Sequence, residues 1–206
     1  MDALTTNETM FFRDGAPFDL LRDKLLPALA AREAQTRQLG IWSAACSTGQ
    51  EPYSLAMLTR EHPALRGWEV QIVATDISHN VLAQAAAGRY SAFEAGRGLP
   101  PTLREKYFTP QRDEWVASED LRRMIQFRQL NLVQPWPPQA GFDFIFLRNV
   151  MIYFDVTTKQ NILSRARECL RPGGGLFLGT AETTVNLDAQ WQPEQHGAAM
   201  VYRLGM

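Results

Sequence analysis

Four polar residues stand where an apolar segment of the sequence ends, and their types suit a ligand that carries hydroxyl and cationic groups. Carboxylates and amide oxygens accept hydrogen bonds from such groups. If the apolar segments are parallel strands of one sheet, their carboxyl ends share an edge, and ligands bind beyond that edge. The sequence therefore predicts a cofactor site built by the residues that follow each strand. These residues are Glu51, Asp76, Asn131 and Asn149.

Hydrophobic patterning predicts the elements that must position these residues. Short apolar segments bounded by glycine, proline or polar residues predict strands, and the longer segments between them predict helices. The predicted strands are QLGIWSAAC, WEVQIVATD, LRRMIQFRQL, GFDFIFLRN, PGGGLFLGTAE and AAMVYRL. Strands that alternate with helices predict an α/β fold with a doubly wound, mostly parallel sheet. We expect a single domain over residues 1–206, with a small antiparallel insertion over about 90–123.

Local signals predict where several elements begin. Thr5 and Glu8 have the spacing of a capping box, which predicts a helix that begins there and continues into FDLLRDKLLPALAAREAQ. Pro52 suits the first turn of the helix after the first strand. Ser78 and Asp155 are predicted to cap two later helices. The segment EWVAS is predicted to pair with the neighbouring strand LRRMIQFRQL.

The acid after the second strand is compatible with three cofactors, and Glu51 distinguishes among them. Asp76 is placed to accept the ribose hydroxyls of an adenosine, as in proteins that bind NAD, FAD or S-adenosylmethionine. Glu51 would repel a pyrophosphate, and ACSTGQE has no basic residue to offset it. S-adenosylmethionine carries an ammonium and a sulfonium, so an acidic loop suits it. An acid in the first turn of a helix can also simply stabilise the dipole of that helix. Together with Asp76, Asn131 and Asn149 at successive strand ends, Glu51 favours the cofactor interpretation.

Six segments, in this order and over essentially the whole chain, resemble the CheR-type chemotaxis receptor methyltransferases. They are TTNETMFFRD, WSAACSTGQEPYSLAM, ATDIS, NL, FDFIFLRNVMIYFD and LRPGGGLFLGTAET. STGQEPYS and RNVMIYF are specific to that family, whereas LRPGG occurs in many methyltransferases. The resemblance implies a class I S-adenosylmethionine-dependent methyltransferase with a Rossmann-like fold. It also implies methyl transfer to glutamate side chains of bacterial chemoreceptors, which forms γ-glutamyl methyl esters.

The resemblance further implies roles for individual residues. Tyr153 matches the active-site tyrosine of the family, and Arg148 could hold either the substrate or the cofactor carboxylate. A glutamate carboxylate is already ionised at neutral pH, so the transfer requires positioning and desolvation and no general base. The residues with implied cofactor contacts are Asn7, Thr9, Arg13, Glu51, Asp76, Asn131, Leu132, Arg148 and Asn149.

Two features of the chain depart from the family pattern. Family members usually carry a small helical domain before the TTNE motif, which begins here at residue 5. We therefore expect most of that domain to be absent or to have been cut away. Some members have a glycine-bearing loop in the insertion that binds a pentapeptide tether at the end of the receptor. The matching segment, FTPQRDEWVASEDL, has no glycine, which predicts that no tether is bound.

Composition argues against several other classes of protein. The 206 residues are 45% hydrophobic and carry a net charge of −1, so the chain has no overall basic field for nucleic acid. No apolar run approaches the roughly 20 residues of a membrane helix. The two cysteines, Cys46 and Cys169, lie far apart, which favours a cytoplasmic location. No spacing of histidine and cysteine indicates a metal site.

Other functions would require other residues at the same positions, or a loss of catalysis. A nucleic-acid amino-methyltransferase would carry a proline-containing turn where this chain reads Asn149-Val150-Met151. A dinucleotide-dependent oxidoreductase would need further glycines after the first strand. A non-catalytic S-adenosylmethionine-binding module, with a regulatory or interaction role, stays open as an alternative. So does a methyltransferase that acts on another protein target.

Overall fold

A seven-stranded sheet forms the centre of the protein in a computed structural model that describes residues 9–137 and 141–205. The strands are β1 Gln38–Ala44, β2 Glu69–Asp76, β3 Arg89–Ser91, β4 Phe108–Gln111, β5 Glu114–Ala117, β6 Ile125–Gln129, β7 Phe142–Leu147, β8 Leu170–Leu178, β9 Trp191–His196 and β10 Ala199–Leu204. The order in the large sheet is β6-β2-β1-β7-β8-β10-β9. β1, β2, β6, β7 and β8 are parallel, whereas β10 and β9 are antiparallel to their neighbours. The predicted mostly parallel sheet is confirmed.

Helices cover both faces of the large sheet. They are α1 Ala16–Leu20, α2 Leu26–Arg32, α3 Gln50–Glu61, α4 His79–Ala87, α5 Ala92–Gly96, α6 Pro101–Tyr107, α7 Glu119–Arg122 and α8 Val156–Cys169. A π-helical turn, Leu21–Leu25, joins α1 to α2. Within the described ranges, no helix is long and apolar enough to cross a membrane.

The central strands are buried on both faces because their sequences are almost continuously apolar. Successive side chains of a strand point to opposite faces, so a buried central strand must be apolar at every position. Ile41 of β1 packs in the core on the side of α1–α3, whereas its neighbour Trp42 packs in the core on the side of α8. Phe144 and Ile145 of β7 divide in the same way. This burial fixes the positions at which β1 and β7 end.

The predicted pairing of LRRMIQFRQL with EWVAS is wrong. β6 instead joins the large sheet, parallel to β2, with Ile125 opposite Ile72 and Gln129 opposite Asp76. EWVA forms β5, the middle strand of a small antiparallel sheet with the order β3-β5-β4. Proximity in the sequence suggested a hairpin, but α7 lies between the two strands and carries the chain from one sheet to the other. This small sheet falls within the segment predicted as an insertion, and the division into domains stays a prediction.

The N-terminal segment also differs from its prediction. Thr5 and Glu8, the predicted capping box, lie outside the described residues. The following residues form a turn, in which Phe12 and Asp14 have positive φ angles of 49° and 67°, and α1 begins only at Ala16. Pro17, in the first turn of α1, favours a helix start at this point. The predicted continuous helix is therefore wrong over this turn.

The C-terminal edge of the sheet contains a strand that the sequence did not reveal. β9 pairs with β10 in an antiparallel hairpin around Gly197, whose φ is +58°. Most side chains of β9 are exposed and it contains Pro193, so it lacks the hydrophobic alternation on which a strand prediction depends. Such a strand is tolerated because β9 lies at the edge of the sheet.

Candidate cofactor and active site

A cavity of about 680 Å³ opens beyond the carboxyl ends of β1, β2, β6 and β7. This volume is in the range of small-molecule sites in proteins. Every predicted site residue within the described ranges lines it, and Asn7 lies outside those ranges. The predicted residues that line the cavity are Thr9, Arg13, Glu51, Asp76, Asn131, Leu132, Arg148, Asn149 and Tyr153.

The loop between β1 and α3 forms one wall of the cavity through an unusual backbone. Ala45, Ser47 and Gly49 have φ angles of 56°, 49° and 95°, so three residues of this short loop are left-handed. A Cβ at Gly49 would lie 2.9 Å from the Cβ of Ala85 in α4. The glycine is therefore required both for the backbone conformation and for the close approach of α4.

Asp76 at the end of β2 supports this loop as well as facing the cavity. Its Oδ2 accepts a hydrogen bond from the Ser47 amide at 2.9 Å, and its Oδ1 accepts one from the Ser78 amide at 3.0 Å. Ser78 is the N-cap of α4 by position, but its side chain makes no capping hydrogen bond, so the predicted role of its hydroxyl is wrong. A carboxylate oxygen has more than one acceptor site, so both oxygens of Asp76 can still accept hydrogen bonds from a ligand.

Arg148, which is buried, forms ion pairs with Glu51 and with the more exposed Asp14. Arg148 Nη1 donates to Glu51 Oε2 at 3.0 Å, and Arg148 Nη2 donates to Asp14 Oδ2 at 2.6 Å. The other Glu51 oxygen accepts from the Ser43 hydroxyl at 2.8 Å. The Arg148 side chain is 3% exposed. The network contains two carboxylates and one guanidinium, and Arg13 adds a second cation to the lining of the cavity.

This network changes the interpretation of two predicted residues. Sequence reasoning treated Glu51 as a carboxylate without a partner, whereas in the structure Arg148 shares its charge. Both terminal nitrogens of Arg148 are used, since Nη2 also donates to the carbonyl of Arg13 at 2.9 Å. Arg148 therefore connects the N-terminal turn to α3 and to the loop after β7. Asp14 was not among the predicted site residues. Its only signal in the sequence is that it is an acid directly after Arg13.

Tyr153 lies at the rim of the cavity on a 3₁₀ turn, Met151–Tyr153, that follows β7. The side chain is half exposed, and its hydroxyl has no hydrogen-bond partner among residues 9–137 and 141–205. Ile77, Val133 and Ile152 stand around the same rim with exposed apolar side chains. The arrangement presents one free hydroxyl within an apolar surface.

Cys46 lies in the wall of the cavity and is not suited to nucleophilic chemistry. Burial raises the pKa of its thiol well above the ordinary range, and the charges of Asp76 and Glu51 raise it further. Because the thiolate is the nucleophilic form, Cys46 stays protonated and unreactive at neutral pH.

Glu182, which follows β8, is a further residue that sequence reasoning did not assign. Its carboxylate accepts hydrogen bonds from the amides of Asn149, Ile152 and Gly179. Glu182 lies within the motif LRPGGGLFLGTAET. Nothing in that motif indicates that its carboxylate accepts hydrogen bonds from Asn149 and Ile152, about 30 residues earlier in the chain.

The residues around the cavity fit S-adenosylmethionine. Acidic side chains, Glu51 and Asp76, lie beside amides and apolar residues such as Leu132. Two buried polar atoms of lining residues, Ser47 Oγ and Arg148 Nε, have no hydrogen-bond partner in the part of the chain that the structure describes. Acidic groups, unpaired polar atoms and apolar walls together suit a ligand with cationic, hydroxyl and aromatic parts.

Comparison with known proteins gives consistent matches. The family model described as CheR methyltransferase, SAM binding domain, matches residues 7–199. Chemotaxis protein methyltransferase 1 of Pseudomonas aeruginosa is 43% identical over 98% of this chain and 76% of that protein. Chemotaxis protein methyltransferase Cher2 of Pseudomonas putida is 38% identical over 98% of this chain and 75% of that protein. Chemotaxis protein methyltransferase 1 of Vibrio cholerae is 41% identical over 99% of this chain and 74% of that protein.

Proposed function

Because the chain belongs to the CheR methyltransferase family, we propose that it transfers methyl groups from S-adenosylmethionine to glutamate side chains of chemoreceptors. S-adenosylmethionine-dependent methyl transfer in chemotaxis is the activity of the family and of this chain. Glutamate as the acceptor, and the roles of individual residues, are the parts that we propose. The observation that supports the residue roles is the convergence of nine predicted residues from five separate segments on one cavity.

We propose that the acidic residues of the cavity hold the cofactor by its polar groups. When bound, S-adenosylmethionine supplies a methyl group activated by its sulfonium. Asp76 accepts hydrogen bonds from the ribose hydroxyls, and Glu51 faces the ammonium group of the amino-acid end. Thr9, Arg13 and the pair Asn131-Leu132 complete the cofactor contacts. The position of Asp76 supports this assignment, because its carboxylate lines the cavity and accepts only from two backbone amides in the described parts of the chain.

The acceptor carboxylate needs positioning more than it needs activation. A glutamate side chain is ionised at neutral pH and already carries the electron pair that attacks the methyl carbon. Tyr153 donates a hydrogen bond to one carboxylate oxygen and thereby orients the other. Its exposed hydroxyl, without a partner among the described residues, supports this role. The apolar rim formed by Ile77, Val133 and Ile152 excludes water around the reacting groups.

Arg148 has a supporting role in this proposal. Three of its five N–H groups donate to Glu51, Asp14 and the Arg13 carbonyl, which leaves Nε and one Nη1 hydrogen without a partner among the described residues. We therefore propose that Arg148 holds the walls of the cavity together and orients Glu51. Direct contact with the acceptor is a role for Tyr153.

The alternative of a non-catalytic S-adenosylmethionine-binding module is not favoured. Relatives at 38–43% identity over nearly the whole chain are methyltransferases by name. We include a cytoplasmic location in the proposal, because Cys46 and Cys169 are both unpaired and buried, which suits a reducing compartment.

We also propose that the chain binds its receptor without a pentapeptide tether. β4 is an edge strand of the small sheet and contains Pro110, which cannot donate a hydrogen bond to an added strand.

The acceptor is tested by the chemistry of the product. The purified chain is incubated with S-adenosylmethionine labelled in its methyl group and with the cytoplasmic fragment of a chemoreceptor. A glutamyl methyl ester releases labelled methanol in mild alkali, whereas a methylated amine retains its label. The proposal requires alkali-labile label that disappears when the modified glutamates are changed to alanine. Label that resists alkali would refute glutamate as the acceptor.

A further inference from the structure

Glu182 joins the loops that follow two neighbouring strands of the large sheet. Its Oε2 accepts hydrogen bonds from the Asn149 amide and from the Gly179 amide, both at 2.7 Å. Its Oε1 accepts a third from the Ile152 amide at 3.3 Å. Two of these donors belong to the loop after β7 and one follows β8. A single carboxylate thus holds both ends of the segment from Asn149 to Ile152.

The surroundings of Glu182 show that this contact is closely packed. The residue is 9% exposed, and no basic side chain lies within ion-pair distance in the described parts of the chain. A Cβ on Gly179 would lie 2.8 Å from Glu182 Oε2 and 2.7 Å from Asn149 Nδ2, so only glycine leaves room for the contact. Backbone amides alone satisfy this carboxylate, and a larger residue at position 179 would displace it.

The held segment has a conformation that needs support. Asn149 has a φ of 59°, in the left-handed region, which residues other than glycine adopt at a conformational cost. Its amide hydrogen bond to Glu182 secures that conformation. Arg148 and Tyr153, which flank the segment, and Asn149 itself all line the cavity. The direction in which these side chains point therefore depends on the backbone that Glu182 holds.

We propose that Glu182 is a positioning residue for methyl transfer, which fixes the loop of residues 148–153 so that Asn149 and Tyr153 face the cavity. Glu182 does not line the cavity itself, so it acts through the loop and does not contact the reacting groups. This inference rests on the proposed function for the role of Tyr153. A purely structural role would give a different pattern, in which substitution lowers stability and leaves the folded fraction fully active.

The test compares Glu182→Gln and Glu182→Ala with the wild-type chain. Glutamine keeps the volume of the side chain but has only one acceptor oxygen. Its NH₂ group would face at least one of the three backbone amides, and two donors cannot form a hydrogen bond with each other. Alanine removes all three contacts. The control is Asp143→Asn, because Asp143 is a buried carboxylate that accepts from the Gly40 amide at 2.8 Å and from Arg171 at 2.9 Å, and it does not line the cavity.

The first readout is amide hydrogen exchange in the protein without cofactor. We expect faster exchange at Asn149, Ile152 and Gly179 in both Glu182 variants, and unchanged exchange there in the Asp143 control. S-adenosylhomocysteine affinity, measured by calorimetry, should fall by about 10-fold in Glu182→Ala, the effect of about one lost hydrogen bond. Unchanged exchange at these amides in Glu182→Gln would overturn the proposal even if Glu182→Ala failed to fold.

The second readout separates positioning from stability. With a receptor fragment as acceptor, kcat should fall by about 100-fold in Glu182→Ala, the scale of a misplaced reacting geometry, with KM for the receptor nearly unchanged. Tyr153→Phe should then add little in the Glu182→Ala background, because the hydroxyl is already displaced. Full additivity, or a kcat loss no greater than the unfolded fraction, would overturn the proposal. If the wild-type chain transfers no methyl to receptors, the proposed function fails, but exchange and cofactor affinity still decide the role of Glu182.

Discussion

At the scale of single residues, the same side chains support the cavity and face into it. Asp76 accepts two backbone amides of the surrounding loops, and Glu51 shares its charge with Arg148. Tyr153 differs, since its hydroxyl has no partner among the described residues. Substitution of Asp76 or Glu51 therefore alters the walls of the cavity together with any ligand contact, whereas substitution of Tyr153 alters the hydroxyl alone.

Asp76→Ala should weaken S-adenosylhomocysteine binding by about 1–3 kcal/mol, because it removes a charged acceptor of hydrogen bonds. Calorimetry measures the change, and Asp113→Ala, at an exposed acid in the turn after β4, is the control with unchanged affinity. Thermal unfolding should also show a small loss for Asp76→Ala, since the Ser47 and Ser78 amides lose their acceptor. Equal affinity in the two variants would refute the ribose contact.

Tyr153→Phe should spare cofactor binding and slow transfer. Removing a hydroxyl without a protein partner costs no stability, so the unfolding temperature and the S-adenosylhomocysteine affinity should match those of the wild type. kcat should fall by about 10-fold or more, the scale of one hydrogen bond to a charged group. Tyr107→Phe is the control, because its hydroxyl bonds to Glu61 away from the cavity. A kcat equal to that of the wild type would exclude Tyr153 from the acceptor site.

At the scale of elements, the cavity depends on loops that hold left-handed residues at the carboxyl ends of parallel strands. The loop between β1 and α3 contains Ala45, Ser47 and Gly49 in this region, and the loop after β7 contains Asn149. Regular strands end at these positions, and the left-handed residues turn the chain sharply enough for backbone and side chains to face the same space. The strands define the edge, and these turns define the shape of the cavity.

Gly49→Ala should destabilise the protein by about 1–3 kcal/mol and reduce cofactor binding. The added methyl meets the Cβ of Ala85 at 2.9 Å, and the backbone has a φ of +95°. Gly67→Ala separates the two causes, because Gly67 has a φ of +76° but nothing within 4 Å of an added Cβ. Chemical denaturation should show the smaller loss for Gly67→Ala, with cofactor affinity unchanged. Equal losses in both variants would mean that contact with α4 is unimportant.

At the scale of the whole molecule, the two sheets have different roles. The large sheet carries the cavity on its carboxyl edge, and the small sheet, β3-β5-β4, stands beside it as a separate antiparallel unit. Tyr90 of β3 links them, because its hydroxyl donates to the carbonyl of Thr48 in the loop after β1 at 2.8 Å. Through this hydrogen bond the small sheet supports one wall of the cavity.

Methylation by this chain should not depend on a C-terminal tail of the receptor. A tether raises the effective concentration of the substrate only if the enzyme has a site for it, and the edge strand β4 is interrupted by Pro110. Titration with a peptide that matches the receptor tail should show no binding at micromolar concentration. Methylation rates should be equal for receptor fragments with and without the tail. Micromolar binding, or a rate that falls when the tail is removed, would contradict this prediction.

The sequence by itself determined the fold class and nine of the residues around the cavity, whereas the tertiary structure decided their partners. Buried parallel strands need continuous apolar segments, and polar residues follow where those segments end, so both features can be read locally. Three contacts could not be predicted in this way. They are the pairing of β6 with β2, the ion pair of Arg148 with Asp14, and the hydrogen bond from the Asn149 amide to Glu182. Each joins residues that are 33 to 134 positions apart, or strands separated by an insertion. Such contacts depend on strand order and register, which arise only when the whole core is packed.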